Sequence, residues 1–313
     1  MKKIIILEGG FNEEHEVSIN TSIEVQNSLK RMKYSFEIIR VDPNDFEEKI
    51  KNYDKNFIFF NALHGPYGED GTIQKILDKN KLFYSHSKST CSENAFNKDY
   101  TKKILSNTDI PCLKSIVIKK DKINSLDFKE IYNELGDFVI KPVKSGSSFG
   151  VKVFNSIDDI KKFFSNIEEE MKIYLNHQEI MFEKYVKGKE LTVSVIEKNN
   201  SLESLAVTEI ISNNLIYDYD AKYTTGHSKH EIPAKIPKQI YNQCLYYASK
   251  AHDLLDCKSV SRSDFIFDGQ NLFFLEINTQ PGLTKTSLVP EQLKYKNISL
   301  DNFILDIIES SCE

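Results

Sequence analysis

The stretch "VIKPVKSGSSFGVKV", Val139–Val153, contains two runs of β-forming residues separated by a turn rich in glycine and serine. The first run carries Lys141, and the turn contributes the hydroxyl groups of Ser147 and Ser148. Small residues let backbone N–H groups approach phosphate oxygens closely, and hydroxyl groups add donors. The pattern predicts a phosphate-binding turn or an ordinary hairpin tip, and the lysine favours phosphate. A Walker A loop is excluded, because GxxxxGK[ST] is absent and a strand follows the turn.

A second stretch, "FFLEINTQPG" (Phe273–Gly282), ends an apolar run with Glu276 and, two positions later, Asn278. Side chains alternate between the faces of a strand, so these two are predicted to point the same way. A carboxylate and an amide oxygen aimed at one spot suit a hard divalent cation such as Mg²⁺. The alternative is a solvated strand end followed by a turn, and this stretch alone does not exclude it.

The stretch "SRSDF" places Arg262 and Asp264 two residues apart on one strand, so they also share a face. Arginine suits a developing oxyanion or phosphoryl group, and the aspartate adds a third oxygen ligand. An isolated pair of this kind is usually a salt bridge. Its expected position beside "EIN" favours a cluster of metal and arginine.

Two carboxylates, Glu183 and Glu190, flank a glycine turn in "EKYVKGKEL". Carboxylates can accept hydrogen bonds from the hydroxyl groups of a ribose. Two surface carboxylates in a lysine-rich connector are the simpler interpretation when this stretch is taken alone.

Near the N-terminus, "EGGFNEEHEVS" and "HGPYGEDG" each join a predicted strand to a predicted helix. A helix N-terminus favours an anion or a ligand that carries a carboxylate. GxGxxG is absent, so a dinucleotide is not indicated. A capped helix after a tight turn explains both stretches equally well.

The chain divides into three predicted blocks, residues 1–97, 98–187 and 188–313. Short strands alternate with helical patterns in the first block, which predicts a parallel sheet with crossover helices. In the third block the polar turns "EKNNS" and "DGQ" predict antiparallel hairpins. The fold class is therefore α/β, with α+β character in the C-terminal part. The polar run Tyr223–Glu231 is predicted to be a long mobile loop.

Composition indicates a globular protein, with 40% hydrophobic and 28% charged residues among 313. A net charge of −5 and scattered lysines argue against nucleic acid as a partner. No apolar stretch is long enough to span a membrane. The five cysteines are dispersed without a CxxC pair, which favours a reduced, cytoplasmic protein.

Seven stretches occur in the order and at the approximate spacing of one known family. They are "EEHEVS", "HGPYGEDG", "IKPVKSGSSFGV", "EKYVKGKEL", "YDYDAKY", "SRSDF" and "LEINTQPGLTKTSLVP". Each is a weak signal, but seven in order along the whole chain are a strong one. The sequence resembles the D-alanine–D-alanine ligases of the ATP-grasp superfamily. The resemblance implies an ATP-grasp fold with an N-terminal parallel-sheet α/β domain.

The resemblance implies that ATP binds between the second and third blocks. The residues that it assigns to the phosphates and to the nucleoside end are Lys98, Lys141, Ser147, Ser148, Glu183 and Glu190. The residues that it assigns to Mg²⁺ or Mn²⁺, with two ions expected, are Asp264, Glu276 and Asn278. For the "EIN" stretch it therefore favours a metal site over a solvated strand end.

The implied reaction phosphorylates the carboxylate of one D-alanine, and the amine of a second D-alanine then attacks the acylphosphate. Arg262 and the backbone N–H of Gly282 are expected to stabilise the oxyanion. The residues expected to contact the D-alanines are Glu14, His64, Lys222 and Ser287. The hydrogen-bonded trio expected to hold the mobile loop closed is Glu14, Ser147 and Tyr223. Relatives are typically homodimers, so the resemblance implies a dimer as well.

Some positions depart from the family pattern. Asn97 replaces the usual aspartate before Lys98, Phe11 replaces a small hydroxylated residue, and Val143 and Lys144 vary the approach to the phosphate turn. The rival functions are a ligase that makes D-alanyl-D-lactate, another ATP-grasp ligase, and a catalytically silent nucleotide-binding module. The intact "AKY" favours the dipeptide, and the retained metal and arginine residues argue against a silent module.

Overall fold

The structure is a computed structural model that describes residues 2–198, 201–212 and 228–311. Its strands are β1 Lys3–Gly9, β2 Phe36–Val41, β3 Phe57–Asn61, β4 Phe83–Tyr84, β5 Ser115–Lys119, β6 Phe138–Pro142, β7 Lys152–Phe154, β8 Glu179–Lys184, β9 Lys189–Lys198, β10 Ser201–Ser212, β11 Ser228–Glu231, β12 Val260–Phe267 and β13 Leu272–Asn278. Its α-helices are α1 His15–Arg31, α2 Phe46–Lys49, α3 Thr72–Lys79, α4 Ser89–Phe96, α5 Lys98–Leu105, α6 Phe128–Leu135, α7 Ile157–Ser165, α8 Ile167–Glu170, α9 Lys238–Leu254, α10 Leu288–Tyr295 and α11 Leu300–Ser310. Short 3₁₀ segments cover Lys120–Ser125 and Met171–Tyr174.

The first sheet has the order β2-β1-β3-β4, and its neighbouring strands are parallel. Successive apolar residues of β1 enter different cores, with Ile4 and Ile6 on one face and Ile5 and Leu7 on the other. A parallel sheet covered on both faces explains the unbroken apolar run in this strand. The parallel sheet with crossover helices predicted for the first block is confirmed.

The second sheet has the order β5-β8-β6-β7 and is antiparallel. Strands β6 and β7 pair directly, so the turn rich in glycine and serine joins the two strands of a hairpin. Its end is held by the buried Tyr174, whose hydroxyl group donates to the backbone oxygen of Gly150 at 2.6 Å. The prediction of a strand on each side of this turn is confirmed.

The third sheet has the order β11-β10-β9-β12-β13 and is antiparallel. Both predicted hairpins are present, β9 with β10 and β12 with β13. In the second hairpin the Asp268 carboxylate accepts hydrogen bonds from the backbone N–H groups of Gln270 and Asn271, which stabilises the turn.

The prediction of a loop over Tyr223–Glu231 is wrong for its last four residues. Ser228–Glu231 forms β11, which pairs antiparallel with β10 and brings His230 opposite Ile210. An edge strand is held by backbone hydrogen bonds and needs no apolar alternation, so its polar sequence resembled a loop. Residues 223–227 lie outside the described part of the chain.

The C-terminal helices pack on the first sheet. Phe303 and Ile307 of α11 share a core with Ile4 and Ile6 of β1. On the surface, Asp301 accepts hydrogen bonds from the Arg31 guanidinium of α1. Within the described residues, no helix is both long enough and apolar enough to cross a bilayer.

The predicted boundary between residues 97 and 98 falls between two packed helices. Cys91 and Ala95 of α4 lie in one core with Leu105 of α5 and Phe274 of β13. Each sheet falls inside one predicted block, and the block boundaries themselves stay predictions.

Candidate active site

Two adjoining clefts lie between the sheets in the described part of the chain, and Lys98, Ser145 and Glu276 line both. The predicted site residues that line the first cleft are Glu14, His64, Ser147, Arg262, Asn278, Gly282 and Ser287. Those that line the second cleft are Lys141, Ser148, Glu183, Glu190 and Asp264. The second cleft is the larger, with about 1380 Å³ of empty space against about 890 Å³. The structure thus brings every described candidate to one of two connected cavities, whereas Lys222 and Tyr223 lie outside the described residues.

Helix α5 positions Lys98 at the junction of the clefts. The side chain of Asn97 caps the helix by accepting a hydrogen bond from the backbone N–H of Tyr100 at 3.0 Å. The buried Lys98 ammonium donates to the backbone oxygen of Ser145 at 2.6 Å and lies 3.3 Å from the Glu276 carboxylate. Asn97 therefore supplies the helix cap that an aspartate would supply, and Lys98 remains in place.

The floor of the second cleft is a buried ion cluster. Glu183 is 2% exposed, and its carboxylate binds Lys141 of β6 at 2.5 Å and Lys102 of α5. Burial acts to raise the pKa of the Glu183 carboxyl, but the two ammonium groups outweigh it and the pKa lies below its ordinary value. The carboxylate is therefore charged, and the cluster carries one excess positive charge.

The turn rich in glycine and serine reaches across to the first block. Ser147 and Ser148 adopt positive φ angles of 48° and 57°, and the Ser147 hydroxyl group donates to the Glu14 carboxylate. A Cβ atom on Gly146 would lie 2.9 Å from that carboxylate, and one on Gly65 would lie closer still. Two members of the predicted trio are thus in contact, and two glycines leave the space that the contact needs.

His64 lies at the wall of the first cleft and has a polar contact at each of its two ring nitrogens. Its Nε2 lies 2.8 Å from the Thr21 hydroxyl group, and its Nδ1 lies 3.2 Å from the Glu69 carboxylate. All three side chains are buried. Their contacts fix the ring orientation at the wall of the cleft.

The arginine and the acidic residues meet across the hairpin of β12 and β13. Arg262 is opposite Asn278 and Asp264 is opposite Glu276, with a β-bulge directly after Asp264. The Arg262 guanidinium donates to both Asp264 oxygens, at 3.0 and 2.8 Å. The salt bridge between Arg262 and Asp264 is thus present and lies beside the "EIN" residues, and a metal ion at this place stays a prediction.

Asp264, Glu276 and Asn278 form a donor set that consists only of oxygen atoms. Magnesium and manganese prefer such ligands. Each carboxylate also lies beside a positively charged side chain, Asp264 beside Arg262 and Glu276 beside Lys98. Among the described residues, no group of three or more histidine, cysteine, aspartate or glutamate side chains could hold a metal ion. The predicted set, with two carboxylates and one amide, fits a hard cation by its chemistry.

Gly282 and Ser287 approach each other at the far wall of the first cleft. A Cβ atom on Gly282 would lie 2.8 Å from the Ser287 hydroxyl oxygen. That oxygen also accepts a hydrogen bond from the backbone N–H of Thr284 at 3.1 Å. The absence of a side chain at residue 282 therefore allows the loop to close on itself.

Comparison with known proteins matches residues 104–309 to the family model described as the D-ala D-ala ligase C-terminus. A D-alanine–D-alanine ligase of Zymomonas mobilis is 37% identical, covering 99% of this chain and 94% of its own length. One from Wolbachia pipientis wMel is 38% identical with the same coverage. The solved structure of the Bacillus anthracis enzyme complexed with ATP is 29% identical, with a TM-score of 0.81, and covers 99% of this chain and 96% of that one.

The chain belongs to the D-alanine–D-alanine ligase family. The family and the ATP-grasp fold predicted from the seven stretches are confirmed. Members of the D-alanine–D-alanine ligase family are enzymes of the ligase class, so the chain is a ligase. The comparisons give no support to the rival of a catalytically silent module.

Two residues that contact the site were not predicted from the sequence. Lys102 follows Lys98 by four residues and lies on the same buried face of α5. Thr192 follows Glu190 by two residues on β9, and its hydroxyl group donates to the Asp264 carboxylate at 2.6 Å. In both cases the spacing from a predicted site residue, four on a helix and two on a strand, could have indicated that the side chain shares its face.

Proposed function

We propose that this ligase joins two D-alanines to D-alanyl-D-alanine with ATP, for the synthesis of peptidoglycan precursors. The observation that carries the proposal is the shared wall of the two clefts at Lys98 and Glu276. A phosphoryl donor in one cleft and a carboxylate in the other would meet at these two residues. Transfer between them needs proximity and charge stabilisation, and the junction offers both.

ATP occupies the second cleft in this proposal. Lys98 and Lys141 bind the phosphates, and both are buried, so their charges act at low dielectric. Ser147 and Ser148, in the turn between β6 and β7, cover the phosphates with their hydroxyl groups. The carboxylates at the nucleoside end are Glu183 and Glu190. Leu113, Val139, Leu191, Ile210 and Phe265 supply apolar walls that suit a purine ring.

The D-alanines occupy the first cleft. Glu14 binds the ammonium group of the first, beside His64, and Ser287 with Lys222 binds the carboxylate of the second. A carboxylate oxygen of the first D-alanine attacks the γ-phosphorus of ATP. The bond between the γ-phosphorus and the oxygen that leaves with ADP breaks, and an acylphosphate forms. The free amine of the second D-alanine then attacks the acyl carbon and forms the C–N bond. The C–O bond to phosphate breaks, and phosphate leaves as hydrogen phosphate with the proton that the amine loses. Arg262 and the Gly282 N–H stabilise the oxyanion between these events.

Asp264, Glu276 and Asn278 would hold Mg²⁺ or Mn²⁺, with two ions proposed. A bound divalent ion neutralises charge on the phosphates of ATP during transfer. Arg262 orients the Asp264 carboxylate by two hydrogen bonds, and Lys98 lies beside the Glu276 carboxylate at the junction of the clefts.

Closure over the site excludes water that would hydrolyse the acylphosphate. The contact of Ser147 with Glu14 supports such a clamp, and Tyr223 is its proposed third member. A cytoplasmic homodimer, with domains at residues 1–97, 98–187 and 188–313, completes the proposal.

Phosphate release with ATP and Mg²⁺ tests the function directly. D-alanine should release phosphate and yield the dipeptide, whereas L-alanine should not support turnover. With D-alanine and D-lactate at equal concentration the dipeptide should dominate at neutral pH. A depsipeptide as the main product would support the rival ligase, and no D-alanine-dependent release would contradict the proposal altogether.

A further inference from the structure

Lys102 is a buried lysine that lines neither cleft. It is 6% exposed, and its ammonium group donates to the backbone oxygen of Leu113 at 3.0 Å and binds the Glu183 carboxylate. The other Glu183 oxygen binds Lys141, which lines the second cleft. Lys102 thus touches two residues that line the second cleft, Leu113 at its backbone oxygen and Glu183 at its carboxylate, and it reaches the Lys141 charge through Glu183.

The charges of this cluster explain why a second lysine matters. With Lys102 present, two ammonium groups share one carboxylate and the floor of the cleft has an excess charge of +1. Without it, Glu183 would neutralise Lys141 alone and the floor would be neutral. A buried excess charge is unfavourable until an anion compensates it, so such a floor favours a polyphosphate.

We propose that Lys102 is a positioning residue for the nucleotide: it shares Glu183 with Lys141 and so keeps the Lys141 charge directed at the phosphates. This inference rests on the proposed binding of ATP in the second cleft. It predicts that Lys102 acts on nucleotide affinity and not on the D-alanine sites, which lie in the first cleft.

The test compares Lys102→Met with Lys102→Arg in the full chain, by calorimetric titration with Mg²⁺ and ADP. The methionine variant keeps the length of the side chain without its charge, and its dissociation constant for ADP should rise about tenfold. The arginine variant keeps the charge and should stay within about threefold of wild type. The KM for D-alanine should change less than twofold in both.

Lys103→Met is the matched control, because Lys103 is the next residue of α5 with a side chain that is 72% exposed. It should bind ADP like wild type. Glu183 keeps Lys141 as its partner in the methionine variant. Thermal unfolding without nucleotide separates positioning from structure, because a purely structural role would lower the unfolding temperature and weaken both substrates alike. Lys102→Gln, for which the same tenfold loss is expected, replaces the methionine variant if that variant does not fold.

Wild-type affinity for ADP in Lys102→Met would overturn the inference, and so would a lower unfolding temperature combined with an equal rise of both substrate constants. If wild-type protein itself binds no ADP, the proposed nucleotide site fails, and the inference fails with it.

Discussion

The two clefts are built in different ways. The first collects residues from Glu14 to Leu288, many of them in loops, and close approach there depends on glycines at 65, 146 and 282. The second lies mainly on neighbouring strands, and its floor is set by the charges of Lys141 and Glu183. The difference implies that added volume damages the first cleft most, whereas a changed charge damages the second.

The residue shared by both clefts should give the largest effect. Glu276→Gln removes a charge from the proposed metal set and from the Lys98 contact, and turnover should fall by roughly two orders of magnitude or more. Steady-state phosphate release measures the loss. Glu203→Gln, on β10 beside Lys296 and with a side chain that is 38% exposed, is the control and should be fully active. Normal turnover in Glu276→Gln would mean that this residue is only a strand end.

Adding one methyl group to the first cleft should give the next largest effect. In Gly146→Ala the new Cβ would lie 2.9 Å from the Glu14 carboxylate and would displace it. Because small misplacements in a site are costly, kcat/KM for D-alanine should fall by roughly one to two orders of magnitude, with ADP affinity nearly unchanged. Equal damage to both substrates would remove the distinction between the clefts.

Gly136→Ala is the control for this substitution. Gly136 has a φ of 71°, and a methyl group added there would have no atom within 4 Å. Strained backbone should lower its stability by about 1 kcal/mol or more while both substrate constants stay normal.

Acid should destabilise the fold through the buried His86, which packs edge-on against Phe60. Burial, with a contribution from the nearby His64, lowers the pKa of His86 to about 3, whereas an unfolded histidine has a pKa near 6.5. Between these values the unfolded state binds more protons, so stability is full above about pH 6.5 and falls as the pH falls. From pH 7 to pH 5 this residue should cost about 2 kcal/mol of unfolding free energy.

Urea unfolding at both pH values checks this, with His86→Asn as the comparison. Asparagine tolerates the positive φ of 69° at this position and has no proton to bind. The variant should lose less stability than wild type on acidification. An identical loss in both proteins would place the acid sensitivity elsewhere.

An ion pair remote from both clefts should give the smallest effect. Asp301 accepts from Ser28 at 2.6 Å and from the Arg31 guanidinium, whose hydrogen bond is the main reason that the pKa of Asp301 is lowered. Asp301→Ala should cost about 1 kcal/mol at neutral pH, and the difference from wild type should shrink as the pH falls below about 4. Both substrate constants should stay at wild-type values, and a change in either would show that this surface is coupled to the clefts.

The strands and the site residues on them were predictable, because side chains alternate between the two faces of a strand and spacing along the sequence therefore gives the face. Glu276 and Asn278 had to share a face, and the hairpin turns placed Asp264 beside them. Lys102 was missed because an isolated lysine is usually solvated, and only packing shows that it is buried. The strand Ser228–Glu231 was missed because backbone pairing at a sheet edge leaves no apolar pattern.

The helix α11 covers the first sheet, although about 200 residues separate the two along the chain. A ribosome releases β1 to β4 long before it releases Phe303 and Ile307. During that interval one face of the nascent sheet lacks its final cover, and Ile4, Ile6 and Phe60 line that face. The growing chain therefore exposes an apolar surface that chaperones can bind until α11 has been synthesised and packs on the sheet.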